Sequence, residues 1–182
     1  MARITWKENK VISIQLDEHT FVLAQMIVRP YLIFFNIFNS NNEWSDIDLN
    51  LAPILFTNPV TNQFLSSSKI STVNHVNPKS NFSTPPLWLE QSPEFQYIKI
   101  WENTEYELDV CMFGAKGVRV IEKNITLKGQ QTTKPITNFV DANEIEDIHN
   151  YEFNDIAVNP ETSERLKLCY KFNRNVDPCK EL

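Results

Sequence analysis

The chain has 182 residues, of which 42% are hydrophobic and 22% are charged, so it can bury a core without disulfide or metal staples. Its formal net charge of −6 repels nucleic-acid phosphates, and no window of five residues holds more than two Lys or Arg. Three glycines are too few for the Gly-rich loops that cradle phosphates. Nucleic-acid binding is therefore not expected. A basic protein partner fits this charge, although solubility alone also explains it.

Export and membrane insertion are not expected either. The N-terminus has no apolar signal core, and no apolar run approaches the roughly 20 residues that span a bilayer. Cysteines are few and odd in number, without metal-like spacing; they are Cys111, Cys169 and Cys179. Such usage indicates free thiols in a reducing compartment. The sequence thus predicts a cytoplasmic protein that carries no cofactor and has no membrane partner.

The most apolar stretch predicts an antiparallel meander near the N-terminus. Its three strands are expected at residues 11–16, 21–28 and 31–38. The first alternates between apolar and polar side chains, which is the period of a half-buried strand. The other two are apolar at almost every position, interrupted chiefly by Gln25 and Asn36. Such runs favour strands that are covered on both faces, joined here by short turns.

Three more extended segments are predicted before a linker. Ile47, Leu49 and Leu51 alternate with polar residues, so residues 43–55 predict an edge strand. Further β-rich segments are expected at residues 56–65 and 70–76. Residues 77–86 contain three prolines and little apolar content, which predicts a linker. We expect a single domain over 1–182, divided by this linker into an N-terminal β unit (1–76) and an extension (87–182).

The extension predicts short strands followed by two helices. The strands are expected at residues 95–101, 118–122 and 125–127. Asp141 and Glu144 form a capping box for a helix over residues 141–151. Asn159-Pro160 starts a second helix, in which Leu166, Cys169 and Tyr170 share one face. The predicted fold class is α+β, mainly antiparallel β, with the meander as a curved sheet or partly open barrel and two C-terminal helices.

No catalytic constellation stands out in the sequence. The histidines stand singly, without metal-ligand spacing; they are His19, His75 and His149. No nucleophile elbow or nucleotide-binding fingerprint occurs. Asp46 and Asp48 would share one face of the predicted edge strand, a geometry that metal-dependent enzymes use. A metal-dependent enzyme that combines this pair with a distant histidine is therefore one alternative, and a solvated strand edge explains the same pair.

The sharpest charge feature is an acidic run after the strand at residues 95–101. Four carboxylates stand within eight residues, with no basic residue among them: Glu102, Glu105, Glu107 and Asp109. Like charges so close together favour a solvated loop. The functional interpretation is an acidic surface for a basic partner, in which the neighbouring aromatic residues Trp101 and Tyr106 act as anchors. Asp46 and Asp48 are added to this candidate partner-binding set.

A further pattern covers the first part of the chain, residues 6 to 70. It combines ISIQL at residues 12–16, the acidic turn Asp17-Glu18, the apolar strand at 21–28, and LF at 55–56 followed by PV at 59–60. This pattern resembles the immunity protein 26 family of bacterial polymorphic-toxin and contact-dependent inhibition systems. The resemblance implies a non-catalytic protein that binds and neutralises a cognate toxin domain made by the same cell.

The predicted function is therefore that of a cytoplasmic immunity protein in a 1:1 complex with a basic, nuclease-type toxin domain. Two other classes stay open at this point. One is the metal-dependent enzyme built on Asp46 and Asp48. The other is a β module that binds an extended peptide at an exposed sheet edge.

Overall fold

The structure is a computed structural model of the full chain. It describes residues 4–67, 69–80, 87–92, 95–100, 103, 105, 107–113, 117–125, 131–154 and 161–180. The strands are β1 (Val11–Gln15), β2 (Phe21–Met26), β3 (Tyr31–Asn39), β4 (Ile54–Pro59), β5 (Lys69–Thr72), β6 (Leu87–Gln91), β7 (Phe95–Ile100), β8 (Leu108–Phe113), β9 (Val118–Ile125), β10 (Gln131–Pro135) and β11 (Glu152–Phe153). The α-helices are α1 (Asn62–Ser67) and α2 (Glu161–Phe172), and short 3-10 helices span Ala142–Glu144, Ile148–Asn150 and Pro178–Lys180.

The α+β fold class predicted from the sequence is confirmed, with mostly antiparallel strands and a C-terminal helix. The chain forms two compact units, 1–84 with 155–176 and 85–154 with 177–182. The units interleave along the chain, whereas the predicted linker at 77–86 would divide it once. Helix α2 thus belongs with the N-terminal strands. No helix in the described segments is both long and apolar enough to cross a membrane.

The first unit is built on a five-stranded sheet in the order β4-β3-β2-β1-β5. The predicted meander is confirmed: β1, β2 and β3 pair antiparallel in sequence order. Strands β4 and β5 then add at opposite edges, so the described strands make an open sheet and no closed barrel. The burial of β1, β2 and the first half of β3 is nearly complete. The sheet is therefore covered on both faces, as the continuous apolar runs predicted.

Aromatic residues and helix α2 cover one face of this sheet. The ring of Phe34 lies 4.6 Å from that of Phe56 and 6.4 Å, edge-on, from that of Phe64 on α1. Helix α2 contacts β3, where Tyr170 packs 5.0 Å from Phe38. The buried guanidinium of Arg165 on α2 sits 3.8 Å from the centre of the Phe56 ring. A cation against an aromatic face thus fixes α2 to the sheet.

Loops cover the opposite face of the same sheet. Trp44 and Leu49 pack there with Leu23, Ile33 and Phe35. Asn42, whose φ is 59°, accepts hydrogen bonds from Ser13 Oγ at 2.5 Å and Trp44 Nε1 at 2.8 Å. These bonds satisfy the buried hydroxyl of Ser13 on β1 and the indole N–H that the loop brings into the core.

Gln25, which interrupts the apolar run of β2, is only 1% exposed. Its side-chain amide pairs with the backbone of Lys79 in both directions: Gln25 Nε2 donates to Lys79 O at 3.1 Å, and Lys79 N donates to Gln25 Oε1 at 2.7 Å. Lys79 Nζ in turn donates to the carbonyl oxygens of Leu49 and Asn50 at 3.2 and 2.7 Å. The first part of the predicted linker is therefore fastened to the sheet, and residues 81–86 lie outside the described residues.

Two expectations for the first unit are wrong in detail. Residues 43–53 form turns, and the predicted edge strand is not formed; only Ile54 onward joins β4. Alternating Ile47, Leu49 and Leu51 do not share a face, since Leu49 is buried and Leu51 is 83% exposed. The β-rich segment at 56–65 ends at Pro59, and helix α1 follows, with Thr61 Oγ1 accepting from Phe64 N at 3.0 Å. A local side-chain bond thus decided the conformation there.

The second unit contains a four-stranded sheet in the order β10-β9-β6-β11 and the separate β7–β8 hairpin. Strand β9 runs through Ile125, so the two short strands predicted at 118–122 and 125–127 form one strand; residues 126 and 127 lie outside the described residues. Leu89, Val118, Val120 and Phe153 form a core with apolar residues of the segment 142–151.

The predicted helix over 141–151 is replaced by two 3-10 helices. Asp141 does cap, since its Oδ1 accepts from Asn143 N at 2.9 Å. Asp147 has a φ of 53°, a left-handed conformation that an α-helix cannot contain. The second predicted helix is confirmed as α2, with Leu166 and Cys169 buried, while Tyr170 is 53% exposed. Its predicted start at Asn159-Pro160 lies outside the described residues.

Replacing Arg165 tests the attachment of α2. Its Nε donates to Val176 O at 3.0 Å and its Nη2 to Asn175 Oδ1 at 2.9 Å, so R165A removes both hydrogen bonds together with the cation–π contact to Phe56. We expect R165A to lower the free energy of unfolding by about 2–4 kcal/mol. R165K keeps the positive charge but not the several N–H donors of the guanidinium, so its free energy of unfolding should fall by less than that of R165A. Urea unfolding provides the measurement, with the exposed Arg174 as control: an R174A variant that lost as much would contradict this role for Arg165.

Replacing Gln25 tests the Lys79 attachment. Q25L removes both partners of the Lys79 backbone, and we expect a loss of about 2–3 kcal/mol in the free energy of unfolding. Amide hydrogen exchange at Lys79 should accelerate at the same time, because its hydrogen bond is gone. Q15L is the control, since Gln15 lies half-buried on the adjacent strand. Unchanged exchange at Lys79 in Q25L would show that Gln25 does not hold this loop.

Candidate functional site

The acidic run lies at the end of the β7–β8 hairpin. The two strands pair antiparallel, with Lys99 opposite Asp109 and Ile100 opposite Leu108, so residues 101–107 connect them. Glu105, Glu107 and Asp109 are exposed. The other members of the predicted partner-binding set, Trp101, Glu102 and Tyr106, lie outside the described residues.

Glu107 forms hydrogen bonds with residues before it on both β7 and the connection. Its Oε1 lies 2.6 Å from Lys99 Nζ, and its Oε2 accepts from the backbone N of Asn103 at 2.8 Å. Asn103 adopts a φ of 62°, a left-handed conformation that Asn tolerates better than most residues. The hydrogen bond from Lys99, followed by that from Asn103, lowers the pKa of Glu107 below its ordinary value. Glu107 is therefore ionised at neutral pH and contacts both Lys99 and Asn103.

Asp109 presents its carboxylate more openly than Glu107 does. Its side chain is 77% exposed, and its Oδ1 lies 3.9 Å from the same Lys99 ammonium. Glu107 and Asp109 thus share one lysine, and with the exposed Glu105 the described charged groups at this end of the hairpin sum to a formal charge of −2. Exposed pairs of this kind contribute little to stability. Their effect here is to hold Glu107, in the connection, and Asp109, on β8, beside the same lysine.

Lys99 is the residue that sequence reasoning missed. It precedes Glu107 by eight residues and Asp109 by ten, so no basic residue stands within the run itself. The signal that identifies it is hairpin register: residues equally distant from the centre of the connection meet across the strand pair.

The Asp46 and Asp48 pair is not arranged as predicted. Both side chains are exposed, but the backbone is not extended there, and Asp46 has a φ of 57°. Asp48 Oδ1 accepts from Asn50 N at 2.9 Å and from Asn50 Nδ2 at 3.0 Å, which is the usual use of Asp in a turn. Asp46 and Asp48 belong to the first unit, and the acidic hairpin belongs to the second.

A metal site is not formed by the groups that the structure describes. His19 and His75 are exposed, and the side chain of His149 is outside the described set. Within the described ranges, no group of three or more His, Cys, Asp or Glu is close enough to hold an ion. Cys169 is a buried thiol of α2 whose Sγ accepts from Val176 N at 3.3 Å, so it joins the helix to the segment that follows it.

Two cavities of the first unit lie beside β5 and have no counterpart in the sequence analysis. One, of about 150 Å³, is lined by residues of β1 and β5 together with Phe21 and Asn42. The other, of about 300 Å³, lies at the end of β5 between residues 7–11 and 72–78. Sequence reasoning missed them because the two segments are far apart in the chain.

The lowered pKa of Glu107 has a consequence for pH dependence. A carboxylate whose pKa is lower in the folded protein than its ordinary value stabilises the fold. This stabilisation is fully present at pH values above the ordinary pKa of 4.5, and it is lost as the pH falls through the folded-state pKa. We expect an NMR titration of the Glu107 carboxyl to give a midpoint below 4.5 in the wild type and a higher one in K99M. An identical midpoint in both proteins would show that Lys99 is not the cause.

Comparison with known proteins identifies a family for the chain and no relative of known activity. No curated protein matches it, and no solved structure matches it. One family, described as a domain of unknown function (DUF8309), matches residues 1–182. Because this match spans the whole sequence, the chain belongs to the DUF8309 family.

Proposed function

We propose that this protein is a non-catalytic bacterial immunity protein that binds a basic toxin domain in a 1:1 complex in the cytoplasm and neutralises it. The observation that carries the proposal is the β7–β8 hairpin, where Lys99 and Asn103 position Glu107 beside the exposed Asp109. Two carboxylates held on a strand pair bind a basic surface at a lower cost in side-chain entropy than carboxylates on an unstructured loop.

The overall charge supports the same partner class. A net charge of −6 attracts a cationic protein over the range of the Debye length, about 8 Å at physiological ionic strength, and steers its approach. The hairpin then supplies the local complement to positive groups on the toxin. Nuclease-type toxins are positively charged where they contact phosphates, so an acidic hairpin competes for the surface that binds nucleic acid.

The resemblance of residues 6–70 to the immunity protein 26 family supports the proposal independently of charge. It rests on residues of β1, β2 and β4 and on the turn at residues 17–18, all of which belong to the first unit. The acidic hairpin belongs to the second unit. Under this proposal, the N-terminal sheet is the family scaffold, and the β7–β8 hairpin carries the contacts to the toxin.

The direct experiment is co-expression with a candidate toxin. The partner to use is the C-terminal domain of a secreted protein encoded immediately upstream of this gene. We expect cells that express the domain alone to stop growing, and cells that also express this chain to grow, with a 1:1 complex recovered by gel filtration. Growth arrest that persists despite soluble expression of this chain would reject the proposal.

The hairpin surface is tested by neutralising its carboxylates. E105Q/D109N should lower the association rate with the toxin domain roughly three- to tenfold at low ionic strength and flatten its salt dependence. E144Q/E146Q is the matched control, because Glu144 and Glu146 are also exposed carboxylates of the second unit. Both variants remove two negative charges, so both change the formal charge from −6 to −4.

Stopped-flow association rates at two salt concentrations distinguish local from global effects of charge. If both double variants slow association equally, overall charge steers the partner and the hairpin is not the contact surface. If only E105Q/D109N slows it, the hairpin lies at or near the interface.

A further inference from the structure

Strand β5 forms an edge of the five-stranded sheet. Among the described strands it pairs only with β1, at Ile12–Thr72, Ser13–Ser71, Ile14–Ile70 and Gln15–Lys69. Lys69, Ser71 and Thr72 are exposed and Ile70 is half-buried. An edge strand presents unpaired backbone groups that can pair with another chain.

The register shows which backbone groups of β5 face outward. Val73 N donates to Val11 O at 3.0 Å, so the residues of β5 that bond to β1 are those in phase with Val73, namely Ser71 and Lys69. The pairing of β1 with β2 is consistent with this assignment. Leu16 N donates to Thr20 O at 2.8 Å, so the even-numbered residues of β1 form hydrogen bonds with β2, and its odd-numbered residues form them with β5. The outward N–H and C=O groups of β5 therefore belong to Ile70 and Thr72.

The cavity of about 150 Å³ lies on the face of the sheet to which Ser71 and Lys69 belong. Its lining includes Ser13, Asn42, Ser71 and Lys69. A strand added to β5 would bond to Ile70 and Thr72, and its residue opposite Ser71 would project on the same face, toward this cavity. Its residue opposite Lys69 would lie within reach of the lysine ammonium.

The charge at this edge is opposite to that of the whole chain. Lys69 is exposed and has no ion-pair partner among the described residues. The larger cavity at the other end of β5 adds Lys7, Glu8 and Lys10 to its lining. The charged residues that line the two cavities are therefore three lysines and one glutamate, a formal charge of +2, on a chain whose net charge is −6. An acidic occupant is therefore complementary to this edge, and a basic one is not.

We infer that the open edge of β5 binds an extended segment of a protein partner, which adds a sixth strand to the sheet and places a carboxylate opposite Lys69. Backbone bonds to Ile70 and Thr72 provide the pairing, and the lysines select an acidic sequence. The positive charge at the edge also opposes the pairing of two copies of this chain. This site lies on the first unit and does not depend on the acidic hairpin or on the proposed toxin.

A proline substitution isolates the backbone contribution. The N–H of Thr72 points away from β1, so T72P removes a donor to the added strand and keeps the bonds between β1 and β5. T72V is the matched control, because it keeps the N–H and has nearly the same shape. Thermal unfolding of both variants shows whether the sheet is intact.

The probe is a phage library of random twelve-residue peptides, selected on the immobilised full chain. We expect peptides with alternating apolar residues and at least one Asp or Glu to be enriched on the wild type and on T72V. Synthetic copies of these peptides should bind T72P at least tenfold more weakly in fluorescence anisotropy. K69E should weaken the acidic peptides similarly and improve binding of copies in which the carboxylate is replaced by Lys.

Three outcomes would overturn the inference. Equal binding of the selected peptides to T72P and T72V would show that the backbone edge is not used. An unchanged preference in K69E would show that Lys69 does not select the charge, and this arm still decides the matter if T72P fails to fold. Sedimentation of the wild type as a dimer that T72P converts to a monomer would identify a second copy of this chain as the occupant.

Discussion

The sheet of the first unit has apolar residues on both faces, and both faces must be covered. Helices α1 and α2 cover one face, and the turns at residues 40–52 with the segment at 73–79 cover the other. The polar groups inside this unit follow from the same requirement. Gln25, Asn42 and Arg165 each satisfy backbone or side-chain groups that the covering segments bring into the core, because a buried polar group without a partner costs about 1–3 kcal/mol.

Both faces of the sheet are covered, which is why our inference assigns partner binding to its edge. The edge strands of the sheet are β4 and β5, and β5 is short, mostly exposed and contains a lysine. A side chain that bound a ligand on either face would have to displace part of the core. The outward backbone groups of Ile70 and Thr72 can pair with an added strand without such a rearrangement.

The acidic hairpin of the second unit presents a different kind of surface. Its position is set by cross-strand pairing, and its carboxylates are arranged by Lys99 and Asn103. The two proposals therefore assign opposite charges to the two partners. They also rest on different chemistry: side-chain carboxylates on the hairpin, and backbone groups with lysines at the edge. They lie on separate units of the chain.

Much of the architecture could be read from the pattern of residues. The apolar runs of β2 and β3 specified strands covered on both faces, because no half-exposed strand tolerates so many apolar side chains. Helix α2 was likewise readable from the spacing of Leu166 and Cys169. The edge strand predicted around Asp46 and Asp48 was wrong, since alternation in a short segment does not separate a strand from a series of turns capped by Asp and Asn side chains.

The sequence by itself determined the meander, the α+β class, the acidic balance and the location of the acidic run. Only the tertiary structure decided that Lys99 meets Glu107, that Gln25 fastens Lys79, and which backbone groups of β5 face outward. These are contacts between residues that are distant along the chain or matched by strand register. Local patterns carry the periodicity of a single element, whereas the pairing of two elements depends on the packing of the whole unit.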